Sequence, residues 1–415
     1  MEWGRQQEDA LANVHRWLQH GTEKQQVYRL FGYAGTGKTT LAKHLIEGIN
    51  GDVYFAAYTN KAALELRKKG CPNPVTCHQL IYTPAGNNTT TYRDLRKQLE
   101  TLVAELKKNG ATEQQMLDHT QLQQLIRLTR EEEKEAKKPR FSLNLDSPLR
   151  GAALLVIDEG SFIDVKMGED IESFNTPILV LGDPAQLPPV KGFGHFIHDE
   201  PDFLLTDIHR QAIGNPIIRL ATLAREHRQI PIGRFGESRV IPKSELRDSP
   251  DIANNADQII CGLNKTRIAG NNRIRLLRGI DSALPEPGEK LICLTNKKEE
   301  GLFNGGLWEM VDYHHDPGDD VFHANLKSLD IDYDVQDVPI CAKKFLTNEA
   351  EEAPFYNLDI MKFTYGYMLT THKMQGSQFD NILLIDESSS FRQDKWKHLY
   401  TGITRAAEQI TIAVD

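Results

Sequence analysis

Residues Gly32–Thr39 have the composition and spacing of a loop that binds phosphate groups. Their sequence matches G-x-x-x-x-G-K-[ST] and lies between a predicted strand and a predicted helix, which is the context that the motif requires. The glycines allow backbone N–H groups to turn toward phosphate oxygens at the start of the helix. Lys38 is predicted to reach the β- and γ-phosphates, and the Thr39 hydroxyl to bind Mg²⁺. The candidate nucleotide-binding residues of this loop are Gly35, Thr36, Gly37, Lys38, Thr39 and Thr40.

Two carboxylates at the end of another apolar strand complete a hydrolytic site. Asp158 and Glu159 directly follow Val156 and Ile157. We expect Asp158 to hold Mg²⁺ through water, and Glu159 to act as the general base toward the attacking water. Acidic residues after a strand are also common helix N-caps, but the accompanying phosphate loop favours the catalytic interpretation. Kinases, GTPases and many ATPases share both motifs, so these motifs indicate nucleoside triphosphate hydrolysis and nothing more specific.

Three further residues are candidates for sensing the γ-phosphate. Gln186 lies in the proline-containing segment Leu181–Val190, after another buried strand, where its amide could detect loss of the phosphate. Arg210 and Arg405 lie far apart in the sequence. Two arginines that reach one γ-phosphate from a second domain would close a cleft on ATP, and an arginine finger contributes about 10³–10⁵ in rate. Taken singly, each arginine is more often a surface ion-pair former.

The elements that position these residues alternate between strands and helices. This alternation predicts parallel sheets with helices on both faces. The same pattern begins again after residue 206 and, after an interruption, resumes near Phe363. The predicted strands of the first part are Val27–Phe31, Val53–Ala57, Ala153–Ile157 and Pro177–Leu181.

Two segments interrupt this alternation. Residues 92–138 carry leucines at helical spacing around a turn at Asn109, which predicts a helical hairpin. The flanking residues 82–84 and 141–144 are placed to form a short two-stranded base for the hairpin. Residues 285–345 contain short β-like runs separated by Gly, Asp and Asn, which predicts a small β-barrel. The hairpin fits a solvated coiled-coil arm as well as it fits a strand-separating element.

Composition limits the classes of protein that need to be considered. The 415 residues are enough for two or three domains, and the 40% hydrophobic and 26% charged residues are typical of a soluble globular chain. No segment approaches the roughly 20 apolar residues that cross a membrane, and no secretory signal is visible. The five scattered cysteines favour reduced thiols over disulfides or a zinc site. A net charge of −9 argues against a protein that coats nucleic acid through its overall field.

A series of short motifs in a fixed order resembles the superfamily 1B helicases typified by RecD and Dda. The resemblance covers nearly the whole chain. It implies two RecA-like domains that bind ATP and Mg²⁺ between them, single-stranded DNA across both domains, and 5′-to-3′ translocation. It also implies that Gln7 reads the adenine, and it adds Gly376 to the nucleotide-binding candidates. In chain order the matching residues are Gln7, Gly32–Thr39, Ala57–Ala63, Thr76–His78, Asp158–Ser161, Gly182–Val190, Arg210, Gly366–Ser377 and Tyr400–Ala406.

The same resemblance assigns contacts with the single-stranded DNA. Small hydroxyls and amides suit a moving track because they grip phosphates without reading bases. The two histidines among these contacts could also be structural, but their positions in the motifs favour contact. The predicted contacts are Thr59, Asn60, Thr76, His78, Thr370 and His372. The candidates for base stacking, worth roughly 1–3 kcal/mol per base, are Tyr58, Tyr82, Phe193 and His195, for each of which core packing is an equally good interpretation.

We therefore expect an α/β fold with two RecA-like parallel-sheet P-loop domains, a helical-hairpin insert and a small SH3-like β-barrel insert. Two features depart from the family pattern. Gly160 stands where the family has a larger residue, and the hairpin is longer than the pin of Dda-like enzymes, which leaves open which element splits the duplex. The expected domains are 1–80 with 150–205, the hairpin 81–149, 206–284 with 359–415, and the β insert 285–358.

The expected function is a Mg²⁺-dependent, DNA-stimulated ATPase that translocates 5′-to-3′ and unwinds duplex DNA. Opening one base-pair step costs about 1.4 kcal/mol of stacking, which a stepwise motor with a wedge can supply. The alternatives are a translocase subunit of a recombination nuclease complex and a regulatory ATPase or phosphotransferase without nucleic acid. The expected partners are single-stranded DNA, its junctions with duplex, and single-stranded-DNA-binding, replication or recombination proteins. We expect a monomer in the cytoplasm of a bacterial or phage-infected cell, with the preference for DNA over RNA left open.

Overall fold

A computed structural model describes residues 3–84, 141–188, 194–197, 200–207, 214–248, 251–297, 300–316, 319–346 and 360–415. The predicted hairpin 92–138, Phe193, Arg210 and residues 347–358 of the β insert lie outside these described residues. The chain divides into a large unit, Met1–Leu80 with Asp146–Ala353 and Leu358–Asp415, and a small unit, Ile81–Leu145 with Pro354–Asn357. In the described part of the chain, no helix has the length and apolar composition needed to span a membrane.

The described strands and α-helices are numbered here in chain order. The strands are β1 Val27–Gly32, β2 Val53–Ala57, β3 Val75–Thr76, β4 Tyr82–Pro84, β5 Phe141–Leu143, β6 Leu154–Asp158, β7 Ile178–Gly182, β8 Phe203–Leu205, β9 Gly233–Phe235, β10 Ser238–Pro242, β11 Gln258–Cys261, β12 Lys290–Cys293, β13 Leu307–His314, β14 Val321–Ser328, β15 Asp334–Cys341, β16 Phe363–Tyr365, β17 Met368–Thr370, β18 Phe379–Ile385 and β19 Ala406–Val414. The helices are α1 Arg5–His20, α2 Lys38–Leu45, α3 Asn60–Lys68, α4 Cys77–Ile81, α5 Val165–Glu172, α6 Pro216–Arg225, α7 Glu245–Asp248, α8 Asp251–Asn254, α9 Asn264–Leu277, α10 Lys343–Leu346 and α11 Lys395–Ile403.

The first sheet contains the four strands predicted from the N-terminal half of the sequence. Its order is β3-β2-β6-β7-β1-β8, and all its neighbouring strands are parallel. β7 is buried along its whole length, as expected of a strand that is covered on both faces. β1, β2, β6 and β7 therefore end at the same edge of the sheet, and the loops that follow them carry the predicted phosphate and carboxylate residues.

The second sheet confirms the predicted return to an α/β pattern after residue 206. Its order is β17-β11-β18-β19-β10-β9, in which only β9 and β10 are antiparallel. α6 and α11 pack on this sheet through a core that includes Leu220, Leu399 and Ile412. The C-terminal end of α11, which Arg405 follows closely, lies against the loops of the first sheet.

The segment between the two halves of the second domain forms a five-stranded antiparallel sheet in the order β15-β14-β13-β12-β16. Its two edges meet where Met361 N–H donates to Pro339 O at 2.7 Å and Cys341 N–H donates to Met361 O at 3.0 Å. The predicted short β runs are confirmed, whereas the SH3-like form stays a prediction. β16 belongs to this sheet because the fully buried Phe363 pairs with Cys293 of β12. This differs from the predicted resumption of the second domain at residue 359.

A buried ion pair lies where the chain passes from the second domain into the β insert. Arg275 of α9 donates through Nε to both carboxylate oxygens of Glu289, at 2.8 and 3.1 Å. The Tyr367 hydroxyl and the Glu286 N–H also donate to this carboxylate, at 3.2 and 2.8 Å. Residues from both segments that connect the second domain to the insert therefore bond to the Glu289 carboxylate.

In the small unit, β4 and β5 form an antiparallel pair with Thr83 opposite Ser142. This confirms the predicted two-stranded base. The long segment between the two strands is the predicted hairpin, which lies outside the described residues.

Candidate nucleotide site and nucleic-acid interface

The loop Gly32–Thr39 follows β1 and leads into α2, as predicted. Gly35 and Gly37 both have a φ of +81°, a left-handed conformation that glycine adopts at little cost. At Gly37 a Cβ atom would also lie 2.9 Å from the Gln7 side chain. Lys38 Nζ donates to the carbonyls of Gly32 and Tyr33 at 2.6 and 3.1 Å. The ammonium group is therefore held at the loop by bonds that a phosphate oxygen can replace.

Thr39 and Asp158 lie together, as the sequence predicts for a Mg²⁺ site. The Thr39 hydroxyl donates to Asp158 Oδ2 at 3.1 Å, and Asp158 Oδ1 accepts the Glu159 N–H at 2.9 Å. Mg²⁺ prefers carboxylate and hydroxyl oxygens together with phosphate oxygens and water. This donor set next to a phosphate loop fits that requirement, so Thr39 and Asp158 are the residues that would hold the ion.

Glu159 has two unusual features for a residue at the end of a strand. Its φ is +55°, which costs a non-glycine residue of order 1–3 kcal/mol and is typical of functional positions. Burial raises the pKa of its carboxyl above the ordinary value, and the Arg405 guanidinium opposes this rise. The next residue must be small, because a Cβ atom at Gly160 would overlap the side chain of Val180. The departure at Gly160 therefore has a packing cause.

The end of α11 contacts both the phosphate loop and the loop that contains Gln186. The Tyr400 hydroxyl accepts the Ala34 N–H at 2.8 Å and donates to Asp183 Oδ2 at 2.7 Å. The Leu187 N–H donates to the Thr401 hydroxyl at 2.9 Å. A helix that packs on the second sheet is therefore bonded directly to the nucleotide loops of the first sheet.

Gln186 and Arg405 lie at this contact, as predicted. Gln186 is buried, and its Oε1 atom has no hydrogen-bond partner among the described residues. Arg405 is also buried and donates to Thr401 O at 3.1 Å and to Ser377 O at 3.4 Å. The guanidinium is therefore tied to both α11 and the loop after β17. Arg210 lies outside the described residues, so its predicted role stays a prediction.

Gln7 and Gly376 stand beside these loops. The Gln7 amide donates to Thr36 O at 3.0 Å, and its Oε1 accepts the Gly4 N–H at 3.0 Å. Gln7 thus holds the phosphate loop through its bond to Thr36, and its predicted adenine contact stays a prediction. Gly376 has a φ of +75°, and a Cβ atom there would lie 3.0 Å from Ala62 Cβ. The structure therefore places Gly376 where the second domain packs on α3.

Sequence reasoning assigned no role to two further residues at this contact. The Arg225 guanidinium lies 3.9 Å from the centre of the Tyr33 ring, a cation–π arrangement that joins α6 to the phosphate loop. The Tyr400 hydroxyl is the second. Tyr400 falls within a quoted motif, but neither its partners nor the Arg225 contact leave a local pattern in the sequence.

Three of the predicted contacts with single-stranded DNA are half-exposed hydroxyl or amide side chains. Thr59 caps α3, where its Oγ1 accepts the Ala62 N–H at 3.1 Å. Thr370 Oγ1 accepts the Lys373 N–H at 3.4 Å, and Asn60 lies in the first turn of α3. A hydroxyl that accepts a hydrogen bond keeps its own proton to donate. Thr59 and Thr370 can therefore each offer one donor to a phosphate oxygen.

Thr76 has a different role from the predicted one. The side chain is buried, its Oγ1 accepts the Gln79 N–H, and Gln79 Oε1 accepts the Thr76 N–H, both at 3.1 Å. This reciprocal arrangement is a capping box that starts α4. We therefore correct the assignment of Thr76 from a strand contact to a helix cap, because its hydroxyl is enclosed.

The histidine and aromatic candidates divide into exposed and enclosed side chains. Burial lowers the pKa of both His78 and His372, which keeps their half-buried rings neutral at pH 7. Tyr58 is 41% exposed beside Thr59 and remains a stacking candidate. His195 pairs with Glu172 at 2.8 Å, which favours the packing interpretation for this ring. Phe193 lies outside the described residues, and Tyr82 belongs to the small unit.

Lys61 of α3 is a buried cation next to these candidates. It is 7% exposed, its Nζ lies 2.9 Å from Asp330 Oδ1, and it lies 4.7 Å from the centre of the Phe379 ring. Asp330 belongs to the β insert and Phe379 to the second sheet. The charge of Lys61 is therefore used to join three parts of the large unit.

Comparisons with known proteins agree with this architecture. A family model described as an AAA domain matches residues 18–192, and one described as the UvrD-like helicase C-terminal domain matches residues 365–413. The chain is similar to the ATP-dependent RecD2 DNA helicase of Deinococcus radiodurans, with 24% identity over 284 residues. This match covers 62% of the chain and 35% of the relative, so the chain spans about a third of the length of that curated protein.

Solved structures show the same fold. The Bacteroides Pif1 helicase in complex with ADP-AlF3 and single-stranded DNA has a TM-score of 0.52 and 17% identity, with 100% of this chain and 93% of that chain covered. The Pif1 helicase from Candida albicans has a TM-score of 0.51 and 16% identity, with 100% and 95% covered. The two family models together span more than half of the chain and match its two parallel-sheet domains. The chain therefore contains matches to an AAA domain and to a UvrD-like helicase C-terminal domain, and it has the fold of the Pif1 helicases.

Proposed function

We propose that the chain is an ATP-dependent DNA helicase that moves 5′-to-3′ on single-stranded DNA and unwinds duplex. The observation that carries this proposal is the direct bonding of Tyr400 and Thr401, from helix α11 of the second domain, to the two nucleotide loops of the first sheet. A hydrolytic site shared in this way makes the fit between the two sheets depend on the nucleotide. A P-loop enzyme confined to one sheet has no such means of converting hydrolysis into relative movement.

The residues of the site have distinct roles in hydrolysis. Lys38 binds the β- and γ-phosphates, and Glu159 takes a proton from the attacking water. Arg405 stabilises the charge that develops on the transferred phosphoryl group. Gln186, whose amide N–H₂ can donate to a phosphate oxygen, detects whether the γ-phosphate is present. Thr39 and Asp158 would hold Mg²⁺, which would neutralise charge on the phosphate oxygens.

The proposed track is single-stranded DNA, and the proposed substrate is its junction with duplex. Thr59, Asn60, Thr370 and His372 lie on the two domains whose fit depends on the nucleotide. Small hydroxyl and amide side chains can contact phosphates without reading bases, which suits a grip that can be released at each step. The RecD2 relative is named as a DNA helicase, and the Bacteroides Pif1 structure contains single-stranded DNA, which favours DNA over RNA.

The proposal is tested by strand separation with Mg-ATP on matched DNA duplexes that carry either a 5′ or a 3′ single-stranded tail. Lys38→Ala serves as the control for ATP dependence. We expect unwinding from the 5′ tail only, because the superfamily 1B resemblance implies that polarity. Unwinding from the 3′ tail only would overturn the polarity and keep the motor. Hydrolysis stimulated by single strands without unwinding from either tail would identify a translocase that needs a partner.

A further inference from the structure

The Tyr400 side chain occupies a buried position between three elements that carry the chemistry. It is 1% exposed and lies near the end of α11. Its hydroxyl accepts from the Ala34 N–H in the phosphate loop and donates to Asp183 Oδ2 at the start of the Gln186 loop. The two bonds measure 2.8 and 2.7 Å. If either partner moves, the hydroxyl cannot stay bonded to it without changing its distance to the other.

The chemistry of the hydroxyl suits a fixed connection. Burial and the neighbouring Asp183 carboxylate hold the pKa of Tyr400 well above its ordinary value, so the phenol stays neutral and keeps its proton for Asp183. The other oxygen of Asp183 accepts the Ala185 N–H at 3.0 Å, which fixes the turn that leads to Gln186. A phenylalanine would fill the same space, so packing alone does not require the hydroxyl.

The connection continues from Tyr400 toward the candidate strand contacts. Arg405, which follows the end of α11, donates to Ser377 O. Ser377 closes the loop that starts with Thr370 and His372, and Gly376 of this loop packs on α3 beside Thr59. A continuous set of bonds and contacts therefore joins the phosphate loop to the candidate nucleic-acid contacts of both domains.

We propose that the Tyr400 hydroxyl is a positioning group that couples occupancy of the phosphate loop to contact with single-stranded nucleic acid. This inference rests on the proposed function. Tyr400 acts through Ala34 and Asp183 and need not touch the reacting atoms. Its loss should therefore lower the stimulation of hydrolysis by single strands more than it lowers hydrolysis itself.

The test compares Tyr400→Phe with wild type in steady-state ATP hydrolysis, with and without single-stranded DNA. We expect the ratio of stimulated to basal kcat to fall by at least about fivefold, the lower limit of typical couplings between sites, and the KM for ATP to change less. The ratio does not depend on the folded fraction, because that fraction scales both rates equally. Tyr365→Phe, which removes the hydroxyl that a buried tyrosine of β16 donates to Ala283 O, is the matched control and should keep the wild-type ratio.

A double variant separates positioning from packing. If the Asp183 bond carries the coupling, Asp183→Asn and Tyr400→Phe combined should lower the ratio no further than the larger single effect. An unchanged ratio in Tyr400→Phe, or equal losses of basal and stimulated rates, would overturn the inference. A wild-type protein whose hydrolysis does not respond to single strands would instead overturn the proposed function.

Discussion

Replacing Glu289 by glutamine should destabilise the junction between the second domain and the β insert. Arg275 and Glu289 are 7% and 1% exposed, so the substitution leaves a guanidinium in an enclosed site without its counter-charge. Breaking a buried pair by removing one partner costs about 3–5 kcal/mol. Because glutamine keeps the shape and one accepting oxygen, we expect the lower end, about 3 kcal/mol.

The assay is thermal unfolding followed by tryptophan fluorescence, since Trp308 lies in the core of the insert. A loss of about 3 kcal/mol corresponds to a fall in Tm of roughly 6–12 °C, at 2–4 °C per kcal/mol for a domain of 150–250 residues. Asp332→Asn removes an exposed carboxylate of the same insert and should leave the Tm close to that of wild type.

A second variant tests the stated cause. Arg275→Met combined with Glu289→Leu removes both charges and fills the space with apolar groups, which is often neutral or stabilising at buried ion pairs. We therefore expect the double variant to be more stable than Glu289→Gln alone. A Tm for Glu289→Gln within about 2 °C of wild type, or a double variant less stable than the single one, would refute the argument from uncompensated charge.

Three further predictions concern the site. Glu159→Gln should bind ATP as wild type does and lose about 10²–10⁴ in turnover, measured by equilibrium binding and steady-state hydrolysis; normal turnover would require another base. Arg405→Ala should lower turnover by about 10³–10⁵ with a much smaller change in ATP affinity, and equal losses in both would argue against a finger. His372→Asn should weaken binding of single-stranded DNA without changing the slope of log K against log salt concentration, because the ring is neutral at pH 7. A slope that falls by about one unit would show a charged contact instead.

The parallel sheets and the phosphate site follow closely from the sequence. β1, β2, β6 and β7 are apolar runs bounded by turns, and the residues after them carry chemistry that depends on local spacing. Thr39 and Asp158 are far apart in sequence, but parallel strands bring their loops to the same edge of the sheet. Local pattern and one topological rule were therefore sufficient to predict this pair.

Other features depend on contacts that no local pattern records. The Tyr400 hydroxyl meets Ala34 across 366 positions, and the buried partner of Arg275 was not evident from the spacing of α9. Phe363 begins a strand whose sheet is decided by pairing with β12 and not by its own composition. Thr76 is different, because the T-x-x-Q pattern of a capping box was present in the sequence and motif position outweighed it.

We predict that the proposed contacts with single-stranded DNA form a grip that responds weakly to salt. Thr59, Asn60 and Thr370 are uncharged, and burial keeps His372 neutral. The nearby cation Lys61 is neutralised by Asp330. Affinity that comes from phosphate neutralisation falls steeply with salt, whereas affinity from hydroxyls and amides releases few counterions. A strand held mainly by neutral donors can be gripped and released as the two domains change their fit, without the cost of separating opposite charges at each step. The net charge of −9 is compatible with such a track, and it would be unfavourable for a protein that held DNA through its overall field.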